Sequence, residues 1–489
     1  MSLVHRVLPP DPIATLDEYV TARGGRGLEA ARAMSQEEIV AVVDASGLRG
    51  RGGGGFPTGR KWRTVIENGS ASQRPTVVVN GAEGEPGTFK DRTILRLDPY
   101  RVLEGALIAA LAVGADEVVV ALKRTFTREV KRVRAAIAEL DAAGWTEGIK
   151  VSVFEGPSEY LYGEETALLE VLDGRLPFPR IAPPYRRGID EVVQTPADLG
   201  TQSGLSAHVE MAGPDAGDVA PPTLVNNVET LANVPTIVSR GAPWFRTEGT
   251  EQSPGTIVCT VTGTTQRHGV GEVIMGTPLR EVIELIGGGP RLGRRITGVL
   301  SGVANALITE DQLDTPVSYE GLAAIGSGLG SAGFMVFDDA VDPAAVAAGV
   351  SRFLAVESCG QCTPCKQDGL ALAGDLARLC ESGVEAGVVD EVRSRVATVA
   401  NEARCYLATQ HQVVVESLLE RFPAVVETHA AGRSPVAPVL VAELVDIVDG
   451  EAIWDEQHLA KQPDWSYDAK WSGSTPVDLA VDHRAHPEG

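Results

Sequence analysis

Four cysteines constrain this chain more than any other feature. Cys359-x-x-Cys362-x-x-Cys365 is followed, after 39 intervening residues, by Cys405. Three thiols two residues apart lie on one tight loop, and a fold that uses all four must return a distant segment to that loop. A loop of this kind wraps three corners of a cubane iron–sulfur cluster and takes its fourth ligand from elsewhere. Structural zinc more often uses paired two-residue knuckles, so a [4Fe–4S] cluster is the expectation and zinc the alternative. Gly360 lets the backbone approach inorganic sulfide and Pro364 stiffens the loop. The other two cysteines, Cys259 and Cys380, sit among apolar residues and read as core thiols. Six cysteines in 489 residues are too few for a disulfide scaffold, which points to a reducing, cytoplasmic compartment.

Charge and hydropathy exclude other classes. Lys plus Arg number 43 against 66 Asp plus Glu, a formal charge of −23 that repels a phosphate backbone, so no nucleic-acid partner is expected. The most apolar stretch, Leu107 to Leu122, is interrupted by Asp116 and Glu117, and the first twelve residues lack a signal-peptide core. Neither membrane insertion nor secretion is expected.

The chain divides by texture. Residues 1–34 are irregular. Ser35 and Glu38 form a capping box opening a helix, and strands at Thr76 to Asn80, Glu117 to Ala121 and Ile149 to Phe154 alternate with helices. That pattern predicts an α/β, doubly wound parallel sheet over 35–250. Short β-branched segments flanking one helix make 251–338 a small α+β domain. Helical periodicity dominates 339–430, which holds all four ligand cysteines. Residues 431–489 carry eleven acidic against four basic residues and three of the six tryptophans, and read as an extended arm packed on a surface.

A single cluster exchanges electrons one at a time and needs a donor. Gly50-Arg51-Gly52-Gly53-Gly54-Gly55-Phe56-Pro57-Thr58-Gly59 contains GxGxxG, a weak signal alone, and it follows a helix instead of the strand that a dinucleotide fingerprint requires. Successive backbone N–H groups with Lys61 nearby nevertheless form a cradle for a phosphate or flavin, a plain surface turn being the alternative.

GLRGRGGGGFPTGRKW resembles the family of flavin- and NADH-binding (51 kDa) subunits of respiratory complex I, and equally the diaphorase subunits of NAD-linked formate dehydrogenases and hydrogenases. EGEPGTFKDR (83–92), YGEETALLEVLDG (162–174), NNVETLANVP (226–235) and ESCGQCTPCK (357–366) match in the same order. The resemblance implies a Rossmann-like FMN domain, a β-grasp-like domain and a helical [4Fe–4S] bundle. It assigns FMN to Gly50, Arg51, Gly52, Lys61, Asn80, Glu83, Tyr160, Gly163, Glu164, Asn226 and Asn227. It assigns NADH to Phe56, Glu85, Glu165 and Tyr185, and the cluster to Cys359, Cys362, Cys365 and Cys405. It also implies a separate thioredoxin-like [2Fe–2S] subunit and further redox partners. Acid at the nucleotide ribose favours NADH over NADPH.

The chain departs from the family at Thr64, Ala82 and Ala182, and at an insertion over 186–220. Each lost aromatic stack is worth on the order of 1 kcal/mol, or about tenfold in affinity. These departures favour a soluble multi-subunit oxidoreductase over a standard complex I. They also motivate a second reading, an electron-transfer or scaffold subunit that keeps the cluster but does not oxidise NADH. His411 is placed on a helix surface, and Asp91-Arg92 is read as positioning the helix that begins near Tyr100.

Overall fold

Three successive valines require a strand covered on both faces. In the computed structural model Val77 and Val79 enter the large N-terminal core, while Val78 joins a smaller one with Ala82, Ala121 and Tyr162. Residues 2–69, 74–183, 192–194, 207–209, 222–382 and 387–485 are described. Helices α1 (Leu16–Thr21), α2 (Arg26–Arg32), α3 (Gln36–Ser46) and α4 (Thr58–Asn68) precede that strand, β1 (Thr76–Asn80). After it come α5 (Lys90–Leu97), α6 (Pro99–Val113), β2 (Glu117–Lys123), α7 (Thr127–Ala142), β3 (Lys150–Gly156) and α8 (Glu165–Leu172). A short antiparallel hairpin, β4 (Val192–Gln194) with β5 (Ala207–Val209), leads to β6 (Thr223–Asn227), α9 (Val228–Arg240) and α10 (Ala242–Phe245).

The sheet order is β3-β2-β1-β6, with every pair parallel. The chain winds outward from β1 to β3 and then returns to the opposite side of β1, so its direction reverses between β1 and β6. Open α/β sheets bind ligands at that reversal, beyond the carboxyl ends of the strands.

Residues 1–34, expected to be irregular, contain α1 and α2. The cause is tertiary. Glu104, buried in α6, accepts hydrogen bonds from Tyr19 Oη (2.6 Å) and from the amides of Gly25 and Leu28 (2.8 Å each). Glu272 likewise accepts the amides of Arg6, Val7 and Leu8. Two buried carboxylates far along the chain thus order an arm whose own sequence carries little helical signal.

A second sheet holds β7 (Thr256–Gly263), β8 (Gly269–Ile274), β9 (Ile296–Ser301), β10 (Ile308–Thr309) and β11 (Gly333–Asp338), with α11 (Leu279–Gly287) and α12 (Tyr319–Ala324). Its order is β10-β9-β11-β7-β8, with β11 parallel to β7 and the other pairs antiparallel. The sheet grips α11, which is the β-grasp arrangement. The sequence does not announce β8, whose GVGEVI is glycine-bearing, or the two-residue β10.

Helices α13 (Pro343–Glu357), α14 (Thr363–Leu379), α15 (Val388–Val396), α16 (Leu407–Arg421) and α17 (Pro423–Ala430) share a third core. Beyond them, β12 (Leu444–Val448) pairs with β13 (Glu451–Trp454), and α18 (Pro476–Ala485) ends the described chain. The arm packs on its own chain. Val439 N donates to Ala345 O, Arg92 donates to Leu444 O, and His268 N donates to Gly450 O. Among the described residues no helix is long and apolar enough to cross a membrane.

The N-terminal half depends on the close crossing of α6 and α9. A Cβ on Gly105 would lie 2.0 Å from Leu231 O, so the helices must part to admit one. Gly105→Ala is expected to cost at least about 2 kcal/mol, measured as a lowered urea midpoint; an unchanged midpoint would show that the crossing yields freely.

Candidate functional site

Register puts the first site residues side by side. Asn80 ends β1 opposite Asn227, which ends β6, and Val79 lies opposite Asn226. Asn80 donates to Gly163 O (2.9 Å) and accepts from Ala82 N (3.2 Å), fastening the 3-10 turn Tyr160–Gly163 to the strand end. Asn226 accepts the indole N–H of Trp62 (2.8 Å), and Asn227 caps α9 through Glu229 N (3.0 Å).

The glycine-rich loop runs from α3 to α4 across this edge. A Cβ on Gly52 would meet Asn227 Cβ at 3.0 Å, whereas nothing lies within 4 Å of one on Gly54. Gly53 and Gly55 have φ of 122° and 59°, which favour glycine. Gly50 N donates to Phe56 O (2.8 Å) and Gly50 O accepts from Tyr319 Oη, closing the loop. No side chain caps α4, and Thr58 Oγ1 at its start is buried without a hydrogen-bond partner. Lys61 stands one turn on, and Phe56 is exposed with the Arg60 guanidinium 5.8 Å from its ring centre. Exposed amides, an uncapped helix start, a lone hydroxyl and a lysine suit the phosphate end of FMN.

Two expected flavin residues face elsewhere. Arg51 sends its guanidinium to the carbonyls of Pro254 (3.1 Å) and Thr256 (3.0 Å), tying the loop to β7. Glu83 accepts from Arg92 Nε and Asp91 N (2.9 Å each), so its carboxylate is taken up by the framework. Arg92 and Asp91 therefore hold Glu83 and Asn227, not the α6 start as expected; Asn227 Nδ2 donates to Asp91 (2.6 Å).

Glu85 is partly buried, accepting from Tyr160 Oη (2.6 Å) and Val303 N (2.7 Å), and burial raises its pKa despite both bonds. Tyr160 also receives a hydrogen bond from Gln410 (3.1 Å), and burial and then Glu85 raise its phenol pKa well above the usual value. Glu164 caps α8 at Thr166 N (3.0 Å) and Ala167 N (2.8 Å), with its pKa raised by burial. Glu165 is paired with Lys61 at 2.5 Å on the partly exposed rim. Tyr185 and most of 186–220 lie outside the described residues.

The backbone beside Cys405 reaches the cysteine loop, Arg404 N donating to Cys362 Sγ. Cys359 and Cys362 lie between α13 and α14, Cys365 in the first turn of α14, and Cys405 just before α16. Gly360 has φ of 88°. Hydrogen-bond donors approach three sulfurs: Gln361 Nε2 at Cys359 Sγ (3.4 Å), Arg404 N at Cys362 Sγ (3.4 Å) and Ser358 Oγ at Cys365 Sγ (3.3 Å). Burial raises the thiol pKa of Cys359 and Cys405 and pushes that of Cys365 up to about 11. Four such thiols ionise together only around bound cations, and donors to sulfur are the usual surroundings of an iron–sulfur cluster. The residues fit a cluster with four thiolate ligands. Buried Lys366, its pKa lowered to about 8 by burial, donates to the carbonyls of Ala355, Val356 and Ser358 at the end of α13.

His411 is the clearest correction. It is not on a surface but 1% exposed, bonded through Nε2 to Ser351 Oγ at 2.5 Å. Sequence reading also gave no role to Gln410 or Glu357, although Glu357 begins the cysteine motif. Their partners, Tyr160 and the C-terminal arm, are far away in the chain.

The family description "Nuo51 FMN-binding domain" matches residues 43–236, and "NADH-ubiquinone oxidoreductase-F iron-sulfur binding region" matches residues 345–429. The chain is 35% identical to the NADH-quinone oxidoreductase F subunit 2 of Rhizobium meliloti over 86% of this chain and 95% of that protein. It is 34% identical to the NADH-quinone oxidoreductase F subunit of Streptomyces coelicolor, over 86% and 89%. Among solved structures, an NAD+-reducing [NiFe]-hydrogenase in the H2-reduced state superposes with a TM-score of 0.71 at 26% identity, covering 100% of this chain and 73% of that one.

Burial holds His411 neutral, with its pKa lowered to about 3. The unfolded chain takes up that proton near pH 6.5. Stability therefore falls as pH drops from about 6.5 towards 3. His411→Gln removes this contribution, so the difference in urea midpoint between wild type and variant should shift in the variant's favour between pH 7 and 4. A difference independent of pH would contradict it.

Proposed function

Starting from a chain that belongs to the family of flavin- and NADH-binding subunits of NADH-quinone oxidoreductase (the F, or 51 kDa, type), we propose how its residues carry the family's chemistry. The chain is an electron-entry subunit of a multi-subunit oxidoreductase, with FMN and one [4Fe–4S] cluster as cofactors and NADH as substrate. One observation carries the residue-level reading. The glycine loop lies on Asn227 at the point where the sheet reverses direction, and the hydrogen-bond chain Glu85–Tyr160–Gln410 links that neighbourhood to α16, the helix following Cys405.

When bound, FMN supplies hydride acceptance from NADH and the release of single electrons. The chain's residues bind and orient. Amides of the glycine loop, the α4 start and Lys61 hold the phosphate, with Gly50 and Gly52 permitting its approach. Asn80, Asn226 and Asn227 at the strand ends, beside the Tyr160–Gly163 turn, would line the flavin, and Glu164 fixes the α8 end of that turn. Phe56 is the exposed platform for the nucleotide. Glu165, on the rim, and Glu85 receive its hydroxyl or amino groups and disfavour a 2′-phosphate. Arg51 and Glu83 act one step back, by shaping the loop and β1 end. Cys359, Cys362, Cys365 and Cys405 would hold the cluster, which would supply one-electron transfer; a thioredoxin-like [2Fe–2S] subunit is the partner we favour. The protein works in the cytoplasm, in a soluble assembly of the hydrogenase or formate dehydrogenase kind.

Steady-state reduction of ferricyanide by the flavin-loaded chain tests this reading. Phe56→Ala is expected to raise KM for NADH about tenfold with kcat nearly unchanged. Glu165→Gln should narrow the preference for NADH over NADPH. If both variants kept wild-type KM and nucleotide preference, the nucleotide would have to bind elsewhere.

A further inference from the structure

The matched iron–sulfur region ends at residue 429, yet the arm beyond it reaches the cluster loop. Val477 N donates to Cys359 O (3.1 Å), and a Cβ on Gly360 would strike Thr475 Oγ1 at 2.5 Å. Trp465 Nε1 donates to Val356 O (3.1 Å) at the end of α13. Arg352 on α13 donates to the carbonyls of His458 and Leu459.

At the centre of these contacts is Glu357, 2% exposed and two residues before Cys359. Its Oε1 is 2.7 Å from Lys461 Nζ and 3.0 Å from His458 Nε2, and both residues belong to the arm. Its Oε2 accepts the amide of Tyr160 at 3.3 Å. One buried carboxylate thus joins three things: the turn beside the flavin site, the loop carrying the cysteines, and the C-terminal arm. A buried carboxylate is stable only when paired, and Lys461, 4% exposed, is the full positive charge supplied to it. Lys461 Nζ bonds to Glu357, and through it to the segment that carries the Tyr160 turn and the cysteine loop.

We infer that Lys461, delivered by the C-terminal arm, is a positioning residue for electron transfer between the flavin site and the cluster, acting through Glu357. The inference rests on the flavin-to-cluster reading above. Lys461→Met removes the charge and keeps the stem. The exposed Lys470→Met removes the same charge elsewhere on the arm and serves as the control.

The test is made on the holoprotein by anaerobic stopped-flow mixing with NADH, by a mediated redox titration of the cluster followed by electron paramagnetic resonance, and by amide exchange. Lys461→Met should bleach flavin at the wild-type rate and retain its iron. Cluster reduction should slow at least about tenfold, the midpoint potential should move negative because Glu357 is left unpaired, and amide protection should fall at both 159–163 and 357–360. Lys461→Arg should restore all three, and Glu357→Gln combined with Lys461→Met should restore the potential. Wild-type behaviour in Lys461→Met, loss of iron from it, or equal effects in Lys470→Met would overturn the inference. Failure of NADH to bleach flavin in the wild type would instead strike the functional reading; the potential and exchange shifts, read with dithionite, would still decide the role of Lys461.

Discussion

The return of β6 to the open side of β1 is the constraint on which the site depends. Parallel pairing sets Asn80 opposite Asn227 and leaves their carboxyl ends at the one edge where the sheet changes direction. No residue of the glycine loop needs a strand before it, because the loop reaches that edge from the side, between α3 and α4, and is held there by Gly52 against Asn227 and by Arg51 against β7. A side chain at position 52 would lift the loop from the edge. The GxGxxG pattern therefore serves close approach here without the strand–turn–helix context of a dinucleotide fold.

Around that edge the chain buries more charge than hydrophobic packing would favour. Lys90 is 2.8 Å from both Asp91 and Glu229, and Arg92 is 2.9 Å from Glu83. Removing one partner of such a pair costs about 3–5 kcal/mol, because the other is left buried and uncompensated. The pairs fix positions more than they add stability. Glu83 orients the segment between β1 and α5, Asn227 is held by Asp91, and Glu357 joins the turn at Tyr160 to the cysteine loop. Hydrogen-bonded carboxylates thus tie the carboxyl edge of the parallel sheet and the cysteine loop of the helical bundle, two units with separate hydrophobic cores, to their neighbours.

Much of this was legible in the sequence, for local reasons. The TVVVN strand, the capping box at Ser35 and Glu38, and the helix ending at Gly114 each carry their own signal. The cysteines declared a cluster because their spacing is itself the ligand geometry. What was not legible is what depends on distant partners. α1 and α2 are held by Glu104, which reaches back to Tyr19, Gly25 and Leu28, while Glu272 holds residues 6–8 ahead of them. His411 is inside because Ser351 on another helix accepts or donates to its ring. The arm looked like a surface strip, and two of its three tryptophans, Trp454 and Trp465, do pack on the helical core while Trp471 stays exposed, but only the fold shows that it reaches Cys359.

The most direct test of the account is an anaerobic titration of the purified, cofactor-loaded chain with stoichiometric NADH, following the flavin bands in the visible spectrum and the reduced cluster by electron paramagnetic resonance. The account predicts that the flavin bands bleach and that the signal of a reduced [4Fe–4S] cluster grows on the same additions. Flavin bands that persist with NADH yet bleach with dithionite would contradict it.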